Sequence, residues 1–370
     1  MRGRRVHAYA QSKHTPKQIM ELKFRENGTF KILILADAQD TDAPQKETTD
    51  IINYSIERAA PDLIVLLGDN TAGNFEGVTP KRTKEAVRKL LFPIEEKEIP
   101  FALVFGNHDH EGLTHKCGFE EKEAKLFLLE EFQKSPLCLA VKGECRSGVG
   151  TYNLPILSSG GKKAAFNLWL MDSGTYDCNG GYGFVQPDQT EWYRKTSDEL
   201  KAQNGGIPVP SFLFQHIPVA ETYRLMKQYP FYVPGSVTGG SKLFPGFYKG
   251  YKNRQGKFRE APCCSNTPND QFESWKKQGD ILCAFFGHDH TNDYLGRVDG
   301  IDLCAVPAAG YYSYGWNHGA RSVTIHENSP ADYDTEILSE HSLLPYTVLP
   351  KYKQRHGYCE YKNRKPWQIF

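Results

Sequence analysis

The stretch that decides the fold is residues 31–110, where three short apolar runs each end in polar residues. The first run, Lys31-Ile-Leu-Ile-Leu-Ala36, leads into Asp37-Ala-Gln39, and the second, Asp62-Leu-Ile-Val-Leu-Leu67, leads into Gly68-Asp-Asn70. The third, Phe101-Ala-Leu-Val-Phe105, leads into Gly106-Asn-His-Asp-His110. Continuous apolar runs bounded by polar residues are typical of strands buried on both faces of a sheet. The stretch therefore predicts three inner strands with reactive side chains at their ends.

Helical spacing separates these three runs. Residues 47–59 and 80–97 have apolar positions at helical intervals, and in the second segment Ala86, Val87, Leu90, Leu91 and Ile94 fall on one side. The order strand, helix, strand, helix, strand predicts parallel strands with right-handed crossovers, and hence an α/β fold. Ligands of such sheets bind at the carboxyl ends of the strands, which is where the polar clusters lie.

Two further apolar runs also end in polar clusters. Ser211–Phe214 leads into Gln215-His216, and Ile281–Phe286 leads into Gly287-His-Asp-His290. Between and after them the pattern predicts helices over 119–131 and 188–202 and strands over 166–171, 294–298, 301–306 and 321–326. Residues 217–279 are rich in Tyr, Phe, Gly and Pro and show little periodicity, which predicts a functional loop region or a cap.

The five clusters supply carboxylate, amide and imidazole ligands without thiolate, a set that suits divalent Mn, Fe or Zn. A carboxylate can bridge two ions, and such a pair stabilises the attacking and leaving oxygens of phosphoryl displacement. His288 and His290 are two apart, so in an extended segment both face the same way. Any one cluster has a simpler interpretation as a turn or a hydrogen-bonded core residue. Five clusters, each directly after a buried strand, favour a single metal site.

The order of the clusters resembles the signature of the calcineurin-like metallophosphoesterase superfamily, D-x-H, G-D, G-N-H-[DE], H and G-H-x-H, across residues 30–326. More specific stretches look like the purple-acid-phosphatase-like branch of plants and fungi; these are residues 171–177, 183–189, 214–218, 261–264 and 287–293. The resemblance implies a four-layer α/β/β/α sandwich with loop insertions. It implies an extension over 1–29, a catalytic domain over 30–330 with insertions at 111–210 and 217–279, and a second extension over 331–370.

The resemblance also implies a role for each site residue. Asp69 would bridge two divalent ions, with Asp37 and His290 on one side and Asn107, His216 and His288 on the other. Water activated by Mn, Fe or Zn ions, with Mg as a further option, would hydrolyse a phosphomonoester or phosphodiester, and His108 would be the general acid. Asp109 would either orient His108 or stabilise a turn. Asn70 and His110 would either contact the phosphate or support the ligands by hydrogen bonds.

Two positions depart from the family pattern. Gln39 stands where the superfamily usually has a histidine ligand, and its amide oxygen is a neutral, harder donor that would weaken the first metal site or favour Mn or Mg. Ala72 stands where the purple enzymes have a ligating tyrosine, so no purple chromophore is expected.

Composition limits the partners and the location. The chain has 370 residues and a formal net charge of +1, so no global field holds a nucleic acid or an anionic membrane. A phosphorylated small molecule or a phosphoprotein is the expected substrate. No apolar run approaches the roughly 20 residues of a membrane span, and no secretory signal is recognisable at the N-terminus. Nine cysteines without a C-x-x-C pair indicate buried thiols in a reducing compartment, and hence a cytoplasmic protein.

Two other functions fit the same residues. Gln39 prompts the first, a catalytically weakened phosphate-binding or interaction module on the same fold. The second is a nuclease of the superfamily, for which only the basic and aromatic residues 351–370 offer a binding surface. The chain lacks G-x-S-x-G, H-E-x-x-H and P-loop motifs, so serine-hydrolase, zincin and P-loop chemistries have no local support.

Overall fold

The structure, a computed structural model, describes residues 20–343. The strands are β1 (Leu22–Lys23), β2 (Thr29–Leu35), β3 (Leu63–Leu67), β4 (Phe101–Val104), β5 (Tyr152–Leu157), β6 (Ala164–Leu170), β7 (Ser211–Phe214), β8 (Met226–Tyr229), β9 (Val237–Thr238), β10 (Phe247–Gly250), β11 (Asn253–Gln255), β12 (Ile281–Phe286), β13 (Leu295–Val298), β14 (Ile301–Ala305), β15 (Gly319–His326) and β16 (Asp334–Ser339). The helices are α1 (Lys46–Ala59), α2 (Pro80–Glu95), α3 (Glu111–Cys117), α4 (Glu121–Phe132), α5 (Pro187–Gln203), α6 (Gln271–Gln278) and α7 (Glu340–Leu343).

The first three apolar runs form the parallel part of a five-stranded sheet with the order β16-β15-β2-β3-β4. β2 pairs with β3 and β3 with β4, both in parallel, as the alternation of strands and helices predicts. Every residue of β3 and β4 is buried, which explains why these strands are apolar throughout. β15 and β16 complete the sheet with antiparallel pairings.

The second sheet has eight strands in the order β1-β5-β6-β7-β12-β14-β13-β11. Its centre is parallel, because β7 pairs in parallel with both β6 and β12, and β12 pairs in parallel with β14. The runs that precede His216 and His288 are thus neighbouring strands of this sheet. Their carboxyl ends lie at the same edge.

The two sheets pack face to face between two layers of helices. The small sheet packs against one face of the large sheet, and the two share a hydrophobic core. The large sheet contributes Phe166, Phe212 and Phe285 to this core, and the small sheet contributes Ile32, Val65 and Leu103. The opposite face of the large sheet, with Trp169 and Phe286, packs against Tyr193 of α5 and Trp275 of α6. Helices α1 and α2 cover the small sheet. The predicted four-layer α/β/β/α sandwich is confirmed.

The predicted domain boundaries differ from the structure at three places. The supposed insertion over 111–210 carries β5, β6 and α5, which belong to the large sheet and its helix layer. β1 lies in the supposed N-terminal extension and pairs with β5, while β16 lies in the supposed C-terminal extension and pairs with β15. The sheets therefore recruit strands from both flanks of the predicted 30–330 domain. Residues 1–19 and the basic stretch 351–370 lie outside the described residues.

Residues 217–279 contain regular structure that the sequence pattern did not predict. β8, β10 and β9 form a separate three-stranded antiparallel sheet, β11 extends the edge of the large sheet, and α6 belongs to the helix layer. The antiparallel strands are only two to four residues long, too short for periodicity to be recognised. Within residues 20–343, no helix has the length and hydropathy needed to cross a membrane.

Candidate metal centre

The five polar clusters meet at the carboxyl ends of parallel strands. β2, β3 and β4 of the small sheet are followed by Asp37, Asp69 and Asn107, and β7 and β12 of the large sheet are followed by His216 and His288. All five side chains are buried, with 0–8% of each residue exposed. The fold thus collects the polar side chains of both sheets at one buried point.

Strained backbone turns three of the five strand ends, those of β2, β3 and β12, sharply into the centre. Asp37, Gln39, Asp69 and His288 have φ values of 48°, 38°, 45° and 71°, in the left-handed region that side chains rarely adopt. Strain of this kind persists where surrounding structure enforces it, and it is typical of functional sites. Glycine is required at Gly106, because a Cβ there would lie 2.1 Å from Asp69 Oδ1.

Two groups of side chains in the centre have the geometry of a metal site, and Asp69 belongs to both. Asp69, His216 and His288 form one group, and Asp37, Asp69 and His290 form the other. Within each group the potential ligand atoms all lie within 4.8 Å of one another. These groupings are the ones that the resemblance implies, and the roles of the residues as ligands stay predictions.

Backbone carbonyls fix the orientation of two imidazoles. The Nδ1 atom of His216 lies 3.0 Å from the carbonyl oxygen of Leu67, and Nδ1 of His290 lies 2.8 Å from that of Tyr314. The Nε2 atoms consequently face the carboxylates, at 3.2 Å from Asp69 Oδ2 for His216 and 3.5 Å from Asp37 Oδ1 for His290. A carbonyl that accepts the Nδ1 proton leaves Nε2 free to bind a metal, which is the usual arrangement of histidine ligands.

The electrostatics of the centre favour bound positive charge. Burial lowers the pKa of His216, but the charges of Asp69 and Asp37 outweigh burial and raise that pKa to about 10. Burial raises the pKa of Asp37 to about 8. Burial lowers the pKa of His290 to about 4, so this imidazole is neutral, the form that binds a metal.

Two amide side chains complete the donor set. Gln39 Oε1 and Asn107 Oδ1 are buried and have no hydrogen-bond partner in the described part of the chain. A buried polar atom without a hydrogen-bond partner lowers the free energy of unfolding by about 1–3 kcal/mol. Coordination of a cation by these oxygens would offset that loss. Carboxylates, imidazoles and these amide oxygens together fit divalent ions. Ala72, at the position of the missing tyrosine, instead packs in a small apolar cluster with Phe75 and Val78.

His108 lies beside the centre and is held by a residue that the sequence analysis did not single out. Its backbone N–H donates to Asp69 Oδ1 at 2.7 Å, and its Nδ1 lies 2.8 Å from Glu111 Oε2. Burial lowers the pKa of His108, but the hydrogen bond that its ring donates to Glu111 and the charge of Asp69 raise it to about 9. The other oxygen of Glu111 accepts a hydrogen bond from the Tyr176 hydroxyl at 3.0 Å. In the sequence, the position of Glu111 three residues after His108, at the start of a helix, could have indicated that the two side chains meet.

Of the two alternatives for Asp109, its contacts favour stabilisation of a turn over orientation of His108. Its carboxylate accepts hydrogen bonds from the backbone N–H groups of Gly106 and Thr71, at 2.8 and 3.0 Å, and so stabilises the turn. Asn70 Nδ2 donates to the carbonyl oxygen of Val104 at 3.0 Å and to Asp109 at 3.3 Å, which supports the same turn. Both residues hold the loop that carries the centre.

His110 is also directed away from the centre. It is 3% exposed, and its Nε2 lies 3.4 Å from Thr175 Oγ1 and 3.9 Å from Glu121 Oε2. Burial and the charge of Lys125 lower the pKa of His110 to about 4. Of the two alternatives for His110, these contacts favour support over contact with a phosphate.

Comparison with known proteins gives the family. The family model for calcineurin-like phosphoesterase matches residues 30–292. Probable inactive purple acid phosphatase 28 of Arabidopsis thaliana is 29% identical over 338 residues, which cover 82% of this chain and 77% of that protein. Probable inactive purple acid phosphatase 29 of the same plant is 26% identical over 348 residues, 84% of this chain and 80% of the relative.

Among solved structures, a dimetal phosphatase from Danio rerio superposes with a TM-score of 0.47 and 11% identity, covering 84% of this chain and 96% of that one. The family match spans the strands and clusters from which the resemblance was inferred, and the relatives are purple-acid-phosphatase-like proteins. The chain belongs to the calcineurin-like phosphoesterase family.

Proposed function

We propose that this protein hydrolyses a phosphomonoester or phosphodiester with the help of two divalent metal ions. The observation that carries the proposal is the pair of ligand groups that share Asp69, with His108 directly beside them. Membership of the phosphoesterase family supports the same reaction class. A phosphorylated small molecule or a phosphoprotein is the proposed substrate.

Seven side chains would hold the ions: Asp37, Gln39, Asp69, Asn107, His216, His288 and His290. Bound there, the ions would act as Lewis acids on the phosphoryl group and lower the pKa of water. The donor set of oxygen and imidazole suits Mn, Fe or Zn, and the oxygen of Gln39 also admits Mg.

The residues of the chain position the remaining parts of the reaction. Glu111 hydrogen-bonds to Nδ1 of His108 and stabilises the protonated ring, so His108 is suited to give a proton to the leaving oxygen. The left-handed turns at Asp37 and Asp69 aim both carboxylates into the centre. Because the backbone fixes these positions, little reorganisation of the two carboxylates would be needed for catalysis.

The test is hydrolysis of an aryl phosphate and a bis-aryl phosphate by the Mn-loaded protein. We expect activity on at least one of them. His108→Ala should lower kcat by about 100-fold or more while the protein still binds Mn, because general acid catalysis contributes about 10²–10⁴-fold. Asp69→Ala should abolish both activity and metal binding. Undiminished turnover in the two variants would refute the mechanism.

A phosphate-binding or interaction module on the same fold is the second candidate, and Gln39 favours it. The Arabidopsis relatives are named as probably inactive, which is consistent with such a role. Elemental analysis separates the two candidates when it is combined with the activity assay. Less than one Mn per chain without hydrolysis supports the module, and recovery of metal and activity in Gln39→His would identify Gln39 as the cause.

We also propose a cytoplasmic location. None of the eight cysteines in residues 20–343 forms a disulfide, which supports a reducing compartment.

A further inference from the structure

Residues 222–259 form a strongly basic segment in a chain of nearly balanced charge. The segment contains eight of the 45 basic residues of the chain and none of the 44 acidic ones. It contains the three-stranded sheet β8-β10-β9 and the edge strand β11. The net charge of +1 for the whole chain conceals this local excess.

The arginines of the segment are neutralised by carboxylates of the sandwich. Arg224 pairs with Asp299 at 2.6 Å, Arg254 with Asp302 at 3.2 Å and Arg259 with Asp293 at 2.7 Å. The lysines are different: all are exposed, and none forms an ion pair with a carboxylate of residues 20–343. These are Lys227, Lys242, Lys249, Lys252 and Lys257. The uncompensated charge of the segment is therefore carried by lysine ammonium groups alone.

Strand register places lysines opposite each other on the outer face of the small antiparallel sheet. Lys227 of β8 is the direct partner of Lys249 of β10, and Tyr229 is the partner of Phe247. The neighbouring residues Met226 and Tyr248 point to the other face, where they are buried against the sandwich. Like charges directly opposite on a sheet are destabilising. Within the fold, Lys249 Nζ donates to the carbonyl oxygen of Pro234 at 3.0 Å and Lys227 Nζ lies 5.5 Å from the centre of the Tyr229 ring, but neither contact neutralises a charge. An external anion would offset the repulsion.

Large apolar side chains of the same segment are also exposed. Phe231 is 66% exposed and Tyr232 is 63% exposed, and both lie between Pro230 and Pro234 in the connection from β8 to β9. Tyr251 is 56% exposed and Leu243 is 40% exposed. The segment thus combines ammonium groups that have no carboxylate partner within residues 20–343 with exposed apolar groups.

We propose that the outer face of the β8-β10-β9 sheet docks on an anionic phospholipid bilayer. Lysines are attracted to the diffuse negative potential of such a surface, and aromatic and aliphatic side chains enter the interface between headgroups and acyl chains. A nucleic acid fits less well, because the guanidinium groups that bind phosphates bidentately are occupied and Leu243 cannot stack on a base. The proposal does not depend on hydrolysis.

The docking face is connected to the metal centre through one loop. Lys242 Nζ donates to the carbonyl oxygen of Asn179 at 2.9 Å, and the same loop carries Tyr182, whose ring centroid lies 4.1 Å from that of His288. Docking would therefore place the loop beside the centre next to the lipid surface.

The test is co-sedimentation of the full chain with vesicles of phosphatidylcholine alone and of phosphatidylcholine mixed with phosphatidylserine. We expect binding to the mixed vesicles only, weakening as salt is added. A lysine near an anionic surface contributes about fivefold to the partition coefficient, so Lys227→Gln combined with Lys249→Gln should weaken binding about 25-fold. Phe231→Ser combined with Tyr232→Ser should weaken it with an unchanged salt dependence.

The matched control is Lys201→Gln combined with Lys277→Gln, which removes two exposed, unpaired lysines from α5 and α6. Its partition coefficient should stay within twofold of the parent protein. Thermal melts of all variants establish that the substitutions leave the fold intact. Three outcomes would overturn the proposal. The first is an equal loss of vesicle binding in the two double-lysine variants, and the second is equal binding to vesicles with and without phosphatidylserine. The third is binding to a single-stranded oligonucleotide without binding to vesicles.

Discussion

At the scale of single residues, Glu111 links the loop behind the centre to His108. One carboxylate oxygen lies 2.8 Å from His108 Nδ1, and the other accepts the hydroxyl of Tyr176 at 3.0 Å. Glu111 is buried, and burial raises the pKa of its carboxyl group, but the hydrogen bond with His108 and the charge of that ring lower the pKa below its usual value. Glu111 is therefore a positioning residue that keeps His108 oriented and charged.

Replacing Glu111 tests this role. Glu111→Gln keeps the shape of the side chain but removes its charge, and we expect kcat of the Mn-loaded protein to fall about 10- to 100-fold. KM and the bound Mn per chain should stay unchanged, because Glu111 belongs to neither ligand group. Glu130→Gln, an exposed position on α4, is the matched control. A loss of metal instead of kcat would show that Glu111 supports the ligands and not His108.

Individual ligand candidates were predictable from the sequence, but their supporting residues were not. Asp37, Asp69, His216 and His288 each follow an apolar run directly, so strand prediction also locates them. Glu111 depends on the start of α3, a seven-residue helix with too little periodicity to be predicted. Tyr176 comes from a loop 65 residues away, and only the folded chain brings it to Glu111.

At the scale of elements, α4 is joined to the large sheet by a buried ion pair. Lys125 is 2% exposed, and its Nζ lies 3.1 Å from both oxygens of Asp172, which follows β6. Glu121, one turn earlier on α4, lies 3.1 Å from the same Nζ and also accepts a hydrogen bond from Thr175 at 2.8 Å. The pair thus fixes the loop 172–176 that carries Tyr176.

Removing the lysine should destabilise the protein strongly. Lys125→Met leaves Asp172 buried without its cation, and we expect the free energy of unfolding to fall by about 3–5 kcal/mol. Urea unfolding followed by tryptophan fluorescence measures this change. Lys122→Met, at an exposed position on the same helix, should change the free energy by no more than about 0.5 kcal/mol. An equal loss of unfolding free energy in the two variants would contradict the stabilising role of the ion pair between Lys125 and Asp172.

Element prediction succeeded where burial on both faces made a strand uniformly apolar. The predicted strand over 101–105 is β4 (Phe101–Val104), and the predicted strand over 281–286 is β12 (Ile281–Phe286). It failed at β5, which has a proline at position 155 and exposes part of its length, so its pattern is neither apolar nor alternating. The buried strands were enough to predict the layers of the fold from the sequence, but they were not enough to predict the edges of the sheets.

At the scale of the whole molecule, the net charge does not describe how charge is distributed among the parts of the fold. The net charge of +1 concealed the lysines of residues 222–259, which have no carboxylate partner within residues 20–343. It equally concealed the buried carboxylates of the centre. Burial is the largest cause that raises the pKa of Asp37, the charge of Asp69 raises it further, and His216 opposes both.

Divalent ions should therefore stabilise the entire fold. Mn at 100 times its dissociation constant should add about 2.7 kcal/mol to the free energy of unfolding, and Tm should rise by several degrees. Differential scanning calorimetry with and without a chelator measures the shift. Asp69→Ala should remove it, because both ligand groups lose a member, while Glu130→Gln should keep it. A full shift in Asp69→Ala would place the bound Mn elsewhere.

The sharing of Asp69 also bears on how such a centre changes by descent. Asp37, His216, His288 and His290 each belong to one ligand group, so a mutation at any of them leaves the other group complete in the next generation. A mutation at Asp69 removes a member from both groups at once. Donors around Asp69 can therefore be exchanged one at a time, whereas the aspartate itself cannot be replaced without loss to both groups.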